Sequence, residues 1–470
     1  MRVQKIAVKG LFGFFDHEIP LQSAERVTII HGPNGFGKTA MLRMIAGLVE
    51  GNRTLFDTTV FREFSVTFDD GTSAIIVKST SGIGNEEAVS DGSPRLTFFV
   101  GDSEGKRTEM MLTSPSRKIP KEILADIDPL VPGPYRLVGT EWSDPSGKRY
   151  TPSQILDMFP SAADALPKSY RLGGFSFEAA KDLQVFFVET NRLHGGGVQS
   201  PLVHDALSVR GRWLSVEGNH EALLPRVEQY SRDVAKRIQT VLADYARHSQ
   251  ESDRTFPERL VRFVRESQDA LPESEILRRM NELESKRRRL ISLGLLDSES
   301  GLRDLTEEDV RRAKEALTIY VGDIQQKLNV FDDMSRRIGL LMDIINSRFK
   351  YKKLTIDRDN GFRAISDLGQ AIRLQDLSSG EQHEVVLLYE LLFKGPRKGL
   401  ILVDEPEISL HVGWQSRFLS DFINILQLID ADGIVATHSP MIIGTRSDLM
   451  VELRGPGGHV SEGLGDALTR

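Results

Sequence analysis

The strongest constraint on the fold is a glycine-rich segment near the N-terminus, Gly32-Pro33-Asn34-Gly35-Phe36-Gly37-Lys38-Thr39. It matches the pattern G-x-x-x-x-G-K-[ST] in full. A β-branched run at residues 27–30 precedes it, and residues 39–48 follow it with the apolar spacing of a helix. A strand, a tight loop and a helix in this order predict an α/β fold with a phosphate-binding loop, and they make a coincidental glycine turn a poor alternative.

The chemistry of this loop favours a nucleotide bound together with Mg²⁺. Its glycines allow backbone N–H groups to turn toward phosphate oxygens, and the N-terminus of the following helix favours anions. Lys38 is then expected to reach the β- and γ-phosphates, and Thr39 to offer its hydroxyl to Mg²⁺.

Two adjacent carboxylates end a second apolar run, at residues 400–403. Asp404 suits Mg²⁺ coordination, directly or through water. Glu405 stands where a general base could polarise an attacking water. An apolar strand that merely ends in two surface acids would have the same local sequence. The presence of Lys38 in the same chain makes that alternative a poor one.

A short polar turn precedes this acidic strand and opens an apolar helix. It reads Leu377-Ser378-Ser379-Gly380-Glu381-Gln382. Ser379, Gly380 and the helix N-terminus could present hydrogen-bond donors to a γ-phosphate. Judged by its local sequence alone, the turn could also be an ordinary helix N-cap. Beyond the acidic strand, His438 ends another short strand.

Composition excludes several classes of protein. The 470 residues carry a formal charge of −7, which argues against a surface that coats nucleic acid as a whole. There are no cysteines, so disulfides, thiolate zinc sites and cysteine nucleophiles are excluded. The N-terminus has too few consecutive apolar residues for a signal peptide, and no stretch reaches the roughly 18 apolar residues of a membrane span. We expect a cytoplasmic protein that does not enter a membrane.

The middle of the chain changes character twice. Residues 61–200 are predicted to form a β-rich lobe, with a hairpin at residues 64–77 and a buried strand at 183–188. Residues 201–350 have helical periodicity. Apolar residues from Val310 to Leu341 step by three or four, which predicts one helix of about 35 to 40 residues. These helices could pack against one another in an α-helical lobe, or form a projecting arm or oligomerisation surface.

Taken together, the motifs resemble those of ABC-type ATPases, with residues 377–382 as the signature motif. The resemblance implies that residues 1–60 and 351–470 form two halves of one ATPase head, with the β-rich lobe and a long, coiled-coil-like helical region inserted between them. It also implies that ATP lies between two protomers arranged head to tail. The phosphate loop of one protomer would then face Ser378, Ser379, Gly380 and Glu381 of the other.

The resemblance assigns further roles. His438 corresponds to the switch histidine that senses the γ-phosphate, and acts with Glu405 and Lys38 in catalysis. Residues 407–411 occupy the D-loop position, which helps to join the protomers. A Q-loop glutamine is expected after the strand at 183–188, but Asn191 stands there. Its carbonyl oxygen could still bind Mg²⁺ or water.

The wide separation of Lys38 from Glu405 is similar to that in SMC-like, RecF-like and OLD-like ATPases, and unlike a compact transporter ATPase. The closest likeness is to the OLD-like ATPases of bacterial anti-phage defence, in particular the ATPase subunits of PARIS-type systems. That likeness implies a ring or other homo-oligomer, which holds a toxic TOPRIM-type nuclease until a phage protein triggers its release. The chain ends soon after His438, so the nuclease is expected to be a separate polypeptide.

The main alternative is an SMC-like or RecF-like ATPase that binds DNA for repair. A basic run at residues 286–289, next to Arg278 and Arg279, could contact phosphates. Glu275, Glu282 and Glu284 are interleaved with it, which favours a solvated helix face. Nucleic acid is therefore possible as a partner but is not required.

Overall fold

The motif-bearing segments end neighbouring strands of one parallel sheet in the computed structural model. The structure describes residues 2–22, 24–79, 95–110, 121–131, 133, 135–145, 147–152, 154–155, 159, 180, 183–188, 225–266, 269–297 and 306–455.

The strands are β1 (Val3–Leu11), β2 (Phe15–Pro20), β3 (Val27–His31), β4 (Glu63–Phe68), β5 (Ser73–Ser79), β6 (Arg95–Gly101), β7 (Arg107–Met110), β8 (Arg136–Val138), β9 (Glu141–Ser143), β10 (Arg149–Tyr150), β11 (Val185–Val188), β12 (Lys352–Asp357), β13 (Gly361–Ser366), β14 (Ala371–Ile372), β15 (Leu400–Asp404), β16 (Asp432–Thr437) and β17 (Met450–Glu452). The helices are α1 (Lys38–Glu50), α2 (Arg53–Thr58), α3 (Lys121–Ile127), α4 (Arg226–Arg265), α5 (Glu273–Ser292), α6 (Glu307–Arg312), α7 (Lys314–Asn329), α8 (Asp332–Asn346), α9 (Ser379–Tyr389), α10 (Val412–Ile429) and α11 (Pro440–Ile443).

The parallel sheet has five strands in the order β11-β15-β16-β3-β17. Parallel strands buried on both faces appear in sequence as near-continuous apolar runs, which is the pattern of β3 and β15. Alternate residues point to two different cores. Ile30, Leu402 and Ile434 pack in the core that includes α1, whereas Ile29, Val403 and Val435 pack with α8, α9 and α10.

The register of this sheet brings three motifs to one edge. Asp404 lies opposite Ala436, and Thr437 lies opposite His31, which leads into the phosphate loop. Because all these strands are parallel, their carboxyl ends meet, and the side chains that follow them converge. The α/β prediction is confirmed for this part of the chain.

A six-stranded antiparallel sheet, in the order β2-β1-β4-β5-β6-β7, covers the other side of α1. The predicted hairpin is confirmed as β4 and β5, and its turn is closed by Asp70 Oδ1, which accepts from Thr72 N at 2.9 Å. Strand β4 also pairs with β1, so residues on both sides of position 60 share this sheet. The strand predicted at residues 183–188 is confirmed as β11, which covers its last four residues.

The prediction of one long helix from Val310 to Leu341 is wrong. The segment forms three helices, α6, α7 and α8, with breaks at Ala313 and at residues 330–331. Val330 keeps right-handed helical angles, φ −56° and ψ −31°, so the apolar spacing continues across the break. The long helix is instead α4, with 40 residues, or about 60 Å at about 1.5 Å per residue.

Helix α4 packs directly against α9 and the π-helical turn Glu390–Lys394 that continues it. The rings of Tyr230 and Tyr389 are stacked, with centroids 4.6 Å apart. The Tyr389 hydroxyl donates to Asp233, and the Tyr230 hydroxyl donates to Glu390 at 2.6 Å. None of the helices in the described part of the chain has the length and apolar composition that crossing a membrane requires.

Candidate nucleotide-binding site

The phosphate loop connects β3 to α1 with two left-handed glycines. Gly35 has φ 87° and Gly37 has φ 88°, angles that residues with a Cβ rarely adopt. A Cβ at Gly37 would in addition overlap the side chain of Leu11. Gly37 is also the N-cap of α1, so the loop delivers the N-terminus of that helix to the sheet edge. This is a cradle for an anion, and only glycine fits at position 37.

Lys38 lies inside the loop and is 4% exposed. Its ammonium donates to Gly32 O at 2.7 Å and to Pro33 O at 3.2 Å. Phosphate oxygens in the cradle would be stronger acceptors than these carbonyls, because the hydrogen bond would then join two charges.

Thr39 and Asp404 meet although they are far apart in sequence. The Thr39 hydroxyl donates to Asp404 Oδ2 at 2.8 Å. Asp404 is 4% exposed, and its Oδ1 is buried without a hydrogen-bond partner among the described residues. Burial raises the pKa of the Asp404 carboxyl above its ordinary value, which the Thr39 hydroxyl partly offsets. An unpartnered carboxylate oxygen beside a hydroxyl fits Mg²⁺, which favours oxygen ligands.

A cavity of about 540 Å³ opens over this pair. Its lining includes the polar residues Lys38, Thr39 and Glu405 and the apolar residues Phe12, Leu55 and Val60. A mixed lining of this kind suits a nucleotide, which has charged phosphates and a flat base.

Glu405 enters the cavity from a strained backbone. It has φ 41° and ψ 58°, which is left-handed and uncommon for a residue with a long side chain. Its N–H donates to Ala436 O at 2.8 Å, so the neighbouring strand fixes this conformation. Strain of this kind is concentrated at functional sites, which agrees with the predicted role of Glu405.

His438 stands beside Glu405, but its close partner is Glu407. Its Nδ1 lies 3.0 Å from Glu407 Oε1 and 4.0 Å from Glu405 Oε1. Glu407 was assigned by resemblance to a loop that joins protomers, and its contact with His438 was missed. The sequence feature that could have indicated this contact is a third acid two residues after Glu405, in Asp404-Glu405-Pro406-Glu407.

The predicted signature motif forms the N-terminus of α9. Ser378 is its N-cap and forms a capping box with Glu381, so the simpler interpretation as a helix cap holds for these two residues. Glu381 also pairs with Lys352 at 3.0 Å. Ser379 is exposed and Gly380 is half-buried. Of the described residues that line the nucleotide cavity, none belongs to this motif.

Asn191 and the Q-loop predicted around it lie outside the described residues. The assignment of Asn191 to Mg²⁺ therefore stays a prediction, as do the ATP contacts assigned to Ser378, Ser379, Gly380 and Glu381.

A histidine that the motifs do not include supports the phosphate loop. His17 is 5% exposed, and its Nε2 lies 3.0 Å from Phe36 O. A carbonyl only accepts, so Nε2 carries the proton. Phe15 stacks on the ring and also contacts Phe36. Burial lowers the pKa of His17 below its ordinary value, although the hydrogen bond to Phe36 O raises it. The ring is therefore neutral near neutral pH.

This neutral histidine makes stability depend on pH. Below about pH 6.5 the unfolded chain takes up a proton at His17 that the folded protein resists, so the wild type should lose stability as pH falls through that window. The melting temperatures of wild type and His17→Asn, each measured at about pH 7.5 and about pH 5.5, should show a smaller acid-induced drop in the variant. Equal drops would contradict this account of His17.

Comparison with known protein families is consistent with this geometry. Residues 238–444 match a family described as "AAA domain, putative AbiEii toxin, Type IV TA system". The match covers less than half of the chain; it contains α9, Asp404, Glu405 and His438, and leaves out the phosphate loop. A stretch of 109 residues is 30% identical to "Protein ea59" of Escherichia phage lambda, and covers 22% of this chain and 21% of that protein.

Solved SMC head domains are similar at low sequence identity. The Smc head with an extended coiled coil bound to the C-terminal domain of ScpA, derived from Pyrococcus furiosus, is 14% identical, covers 97% of this chain and 94% of its own, and has a TM-score of 0.33. The SMC head domain from Thermotoga maritima is 13% identical, covers 96% of this chain and 94% of its own, and has a TM-score of 0.31. These TM-scores are too low to equate the folds. Residues 238–444 are thus similar to an AAA-family ATPase domain, in a mixed α/β chain that has SMC heads among its structural neighbours.

Proposed function

We propose that this protein binds ATP with Mg²⁺ and hydrolyses it. The observation that carries the proposal is the meeting of Thr39 and Asp404 beneath the cavity, with one buried Asp404 oxygen left without a partner. Thr39 and Asp404 would hold Mg²⁺, and Lys38 would contact the β- and γ-phosphates. The bound ion would neutralise charge on the phosphates.

Glu405 is the proposed general base. Its side chain is 22% exposed and reaches the cavity next to the phosphate loop, so it can orient a water for in-line attack and accept its proton. His438, adjacent to Glu405, would contact the γ-phosphate. The polypeptide's contribution is mainly positioning and charge, as is usual for phosphoryl transfer.

The site is proposed to be completed by a second copy of the chain. Exposed Ser379 and half-buried Gly380 lie at a helix N-terminus, but outside the cavity of their own chain. Two apolar side chains beyond Glu405, Ile408 and Val412, are both 61% exposed. An exposed apolar surface next to an unused phosphate-binding turn supports a head-to-tail dimer, which could extend to a larger ring.

We further propose that hydrolysis serves anti-phage defence. The resemblance to OLD-like ATPases, and to AriA, the ATPase subunit of PARIS systems, supports an oligomer that holds a separate TOPRIM-type nuclease until a phage protein triggers release. The matched family's description, which names a putative toxin and a type IV toxin–antitoxin system, supports a role of this general kind. The ion pairs of the basic run, Arg278 and Arg279 with Glu275 and Arg288 with Glu284, favour this proposal over DNA repair.

The test measures phosphate release by the purified chain, alone, with duplex DNA, and with the product of the neighbouring open reading frame. We expect Mg²⁺-dependent hydrolysis, and a complex with that product which dissociates when a phage trigger is added. Stimulation by DNA that falls steeply with salt would instead favour the repair ATPase. If the chain neither binds nor hydrolyses ATP, the proposal is wrong.

A further inference from the structure

We infer that Glu407 is a positioning residue for turnover: it holds the backbone and the ring of His438 and so sets which ring nitrogen faces the phosphates. The inference rests on the proposed ATP hydrolysis. One oxygen, Glu407 Oε1, accepts from His438 N at 2.9 Å and lies 3.0 Å from His438 Nδ1. The same oxygen accepts from the Thr437 hydroxyl at 2.8 Å. Three donors from two consecutive residues therefore converge on a single atom.

The chain path explains how Glu407 reaches this place. Left-handed Glu405 turns the chain out of β15, and the 3₁₀ helix Pro406–Ser409 turns it back across the end of β16. Gln415 on α10 fixes the turn, because its Nε2 donates to Glu407 O and Leu410 O, each at 3.2 Å. Its Oε1 accepts from the Ser439 hydroxyl at 2.9 Å, which ties the same glutamine to the segment after His438.

The contact assigns roles to the two ring nitrogens. A carboxylate has no proton to give, so the His438 nitrogen that faces it, Nδ1, carries the hydrogen. Nε2 is left for the nucleotide side of the ring. The His438 side chain is 47% exposed, so packing does little to orient it, and the hydrogen bond to Glu407 does most of that work. A carboxylate that accepts a hydrogen bond from one ring nitrogen of a functional histidine fixes both the tautomer and the orientation of the ring.

Glu407 itself is poorly explained by folding stability alone. Its side chain is 7% exposed, and Oε2 is buried without a hydrogen-bond partner among the described residues. Leaving a buried polar atom unpaired is unfavourable for the fold, and such atoms are uncommon in native proteins. A buried acid that orients an exposed histidine accounts for this arrangement.

The experiment is a double-mutant cycle on ATP hydrolysis by the full chain. Glu407→Ala should lower kcat by about 10- to 100-fold, the cost observed when metal-binding histidines lose the partner that orients them, with KM for ATP changed by less than about threefold. Glu407→Gln keeps an acceptor for Nδ1–H and should recover part of the loss. His438→Ala combined with Glu407→Ala should be no slower than His438→Ala alone.

Thr437→Val serves as the control, because it removes one donor to Glu407 Oε1 and the acceptor of Ser439 N, and leaves both His438 contacts in place. It should lower kcat less than Glu407→Ala does. ATP binding by each variant confirms that the site is folded. Wild-type kcat in Glu407→Ala, or independent additive losses in the double variant, would overturn the inference. A wild-type chain that binds no ATP would instead refute the proposed function, so the two failures are distinguishable.

Discussion

Replacing Lys38 with alanine is expected to abolish ATP binding. The Lys38 ammonium is enclosed by the phosphate loop, where Gly32 O and Pro33 O already draw it inward. Hydrogen bonds to charged groups contribute about 1.5–3 kcal/mol each, so losing two such bonds to phosphates costs about 3 kcal/mol or more. That corresponds to a loss of affinity of about 100-fold or more, since each 1.4 kcal/mol is about tenfold. Titration of the purified variant with a fluorescent ATP analogue measures it.

The control for this variant is Lys9→Ala. Lys9 is on an exposed face of β1 and pairs with Glu63 at 3.3 Å, so the same substitution there should leave ATP affinity unchanged. Melting temperatures of both variants show whether the loop still folds, because Lys38 also links two loop carbonyls. Normal ATP affinity in a folded Lys38→Ala protein would contradict the assignment of residues 32–39 as the phosphate loop.

Replacing Glu405 with glutamine is expected to give a protein that binds ATP and hydrolyses it slowly. Glutamine keeps the shape of the side chain but cannot accept the proton of the attacking water. General bases contribute about 10²- to 10⁴-fold, so single-turnover phosphate release should slow by that order. If ATP lies between two chains, slow hydrolysis should also prolong their association, which light scattering in the presence of ATP and Mg²⁺ would detect.

Glu452→Gln is the matched control for Glu405. Glu452 ends β17 in the same parallel sheet and is exposed, so it presents a carboxylate at the end of another strand without lining the cavity. Its variant should turn over ATP normally. A Glu405→Gln protein with wild-type turnover would remove Glu405 as the base, while leaving the binding residues untested by that result.

The elements that the sequence predicted best are those that local interactions determine. The order of β3, phosphate loop and α1 follows from β-branched residues, two glycines that must be left-handed, and helical spacing within about two dozen positions. The β4–β5 hairpin follows from an acidic turn with glycine. The juxtaposition of Thr39 with Asp404 was anticipated only because both motifs are adapted to one ligand chemistry.

What the sequence did not show depends on contacts between distant segments. Apolar periodicity continues across Val330 with its helical angles, so three helices resembled one. The contact of Glu407 with His438 requires the left-handed turn at Glu405, and nothing local in the sequence predicts a left-handed glutamate. His17 was missed for the same reason, since only the pairing of β1 with β2 brings it to Phe36.

The stacked rings of Tyr230 and Tyr389 couple the position of α4 to that of α9. From Arg237, whose guanidinium lies over the ring of Phe393, to Arg265 the helix extends about 40 Å further at about 1.5 Å per residue, and Arg259 in that part pairs with Asp323 of α7. Close-packed interiors resist gradual deformation, so α4 cannot tilt at this joint without moving α9 or separating the rings. A displacement at the remote end of α4 is therefore expected to reach both α7 and the helix that begins at Ser379.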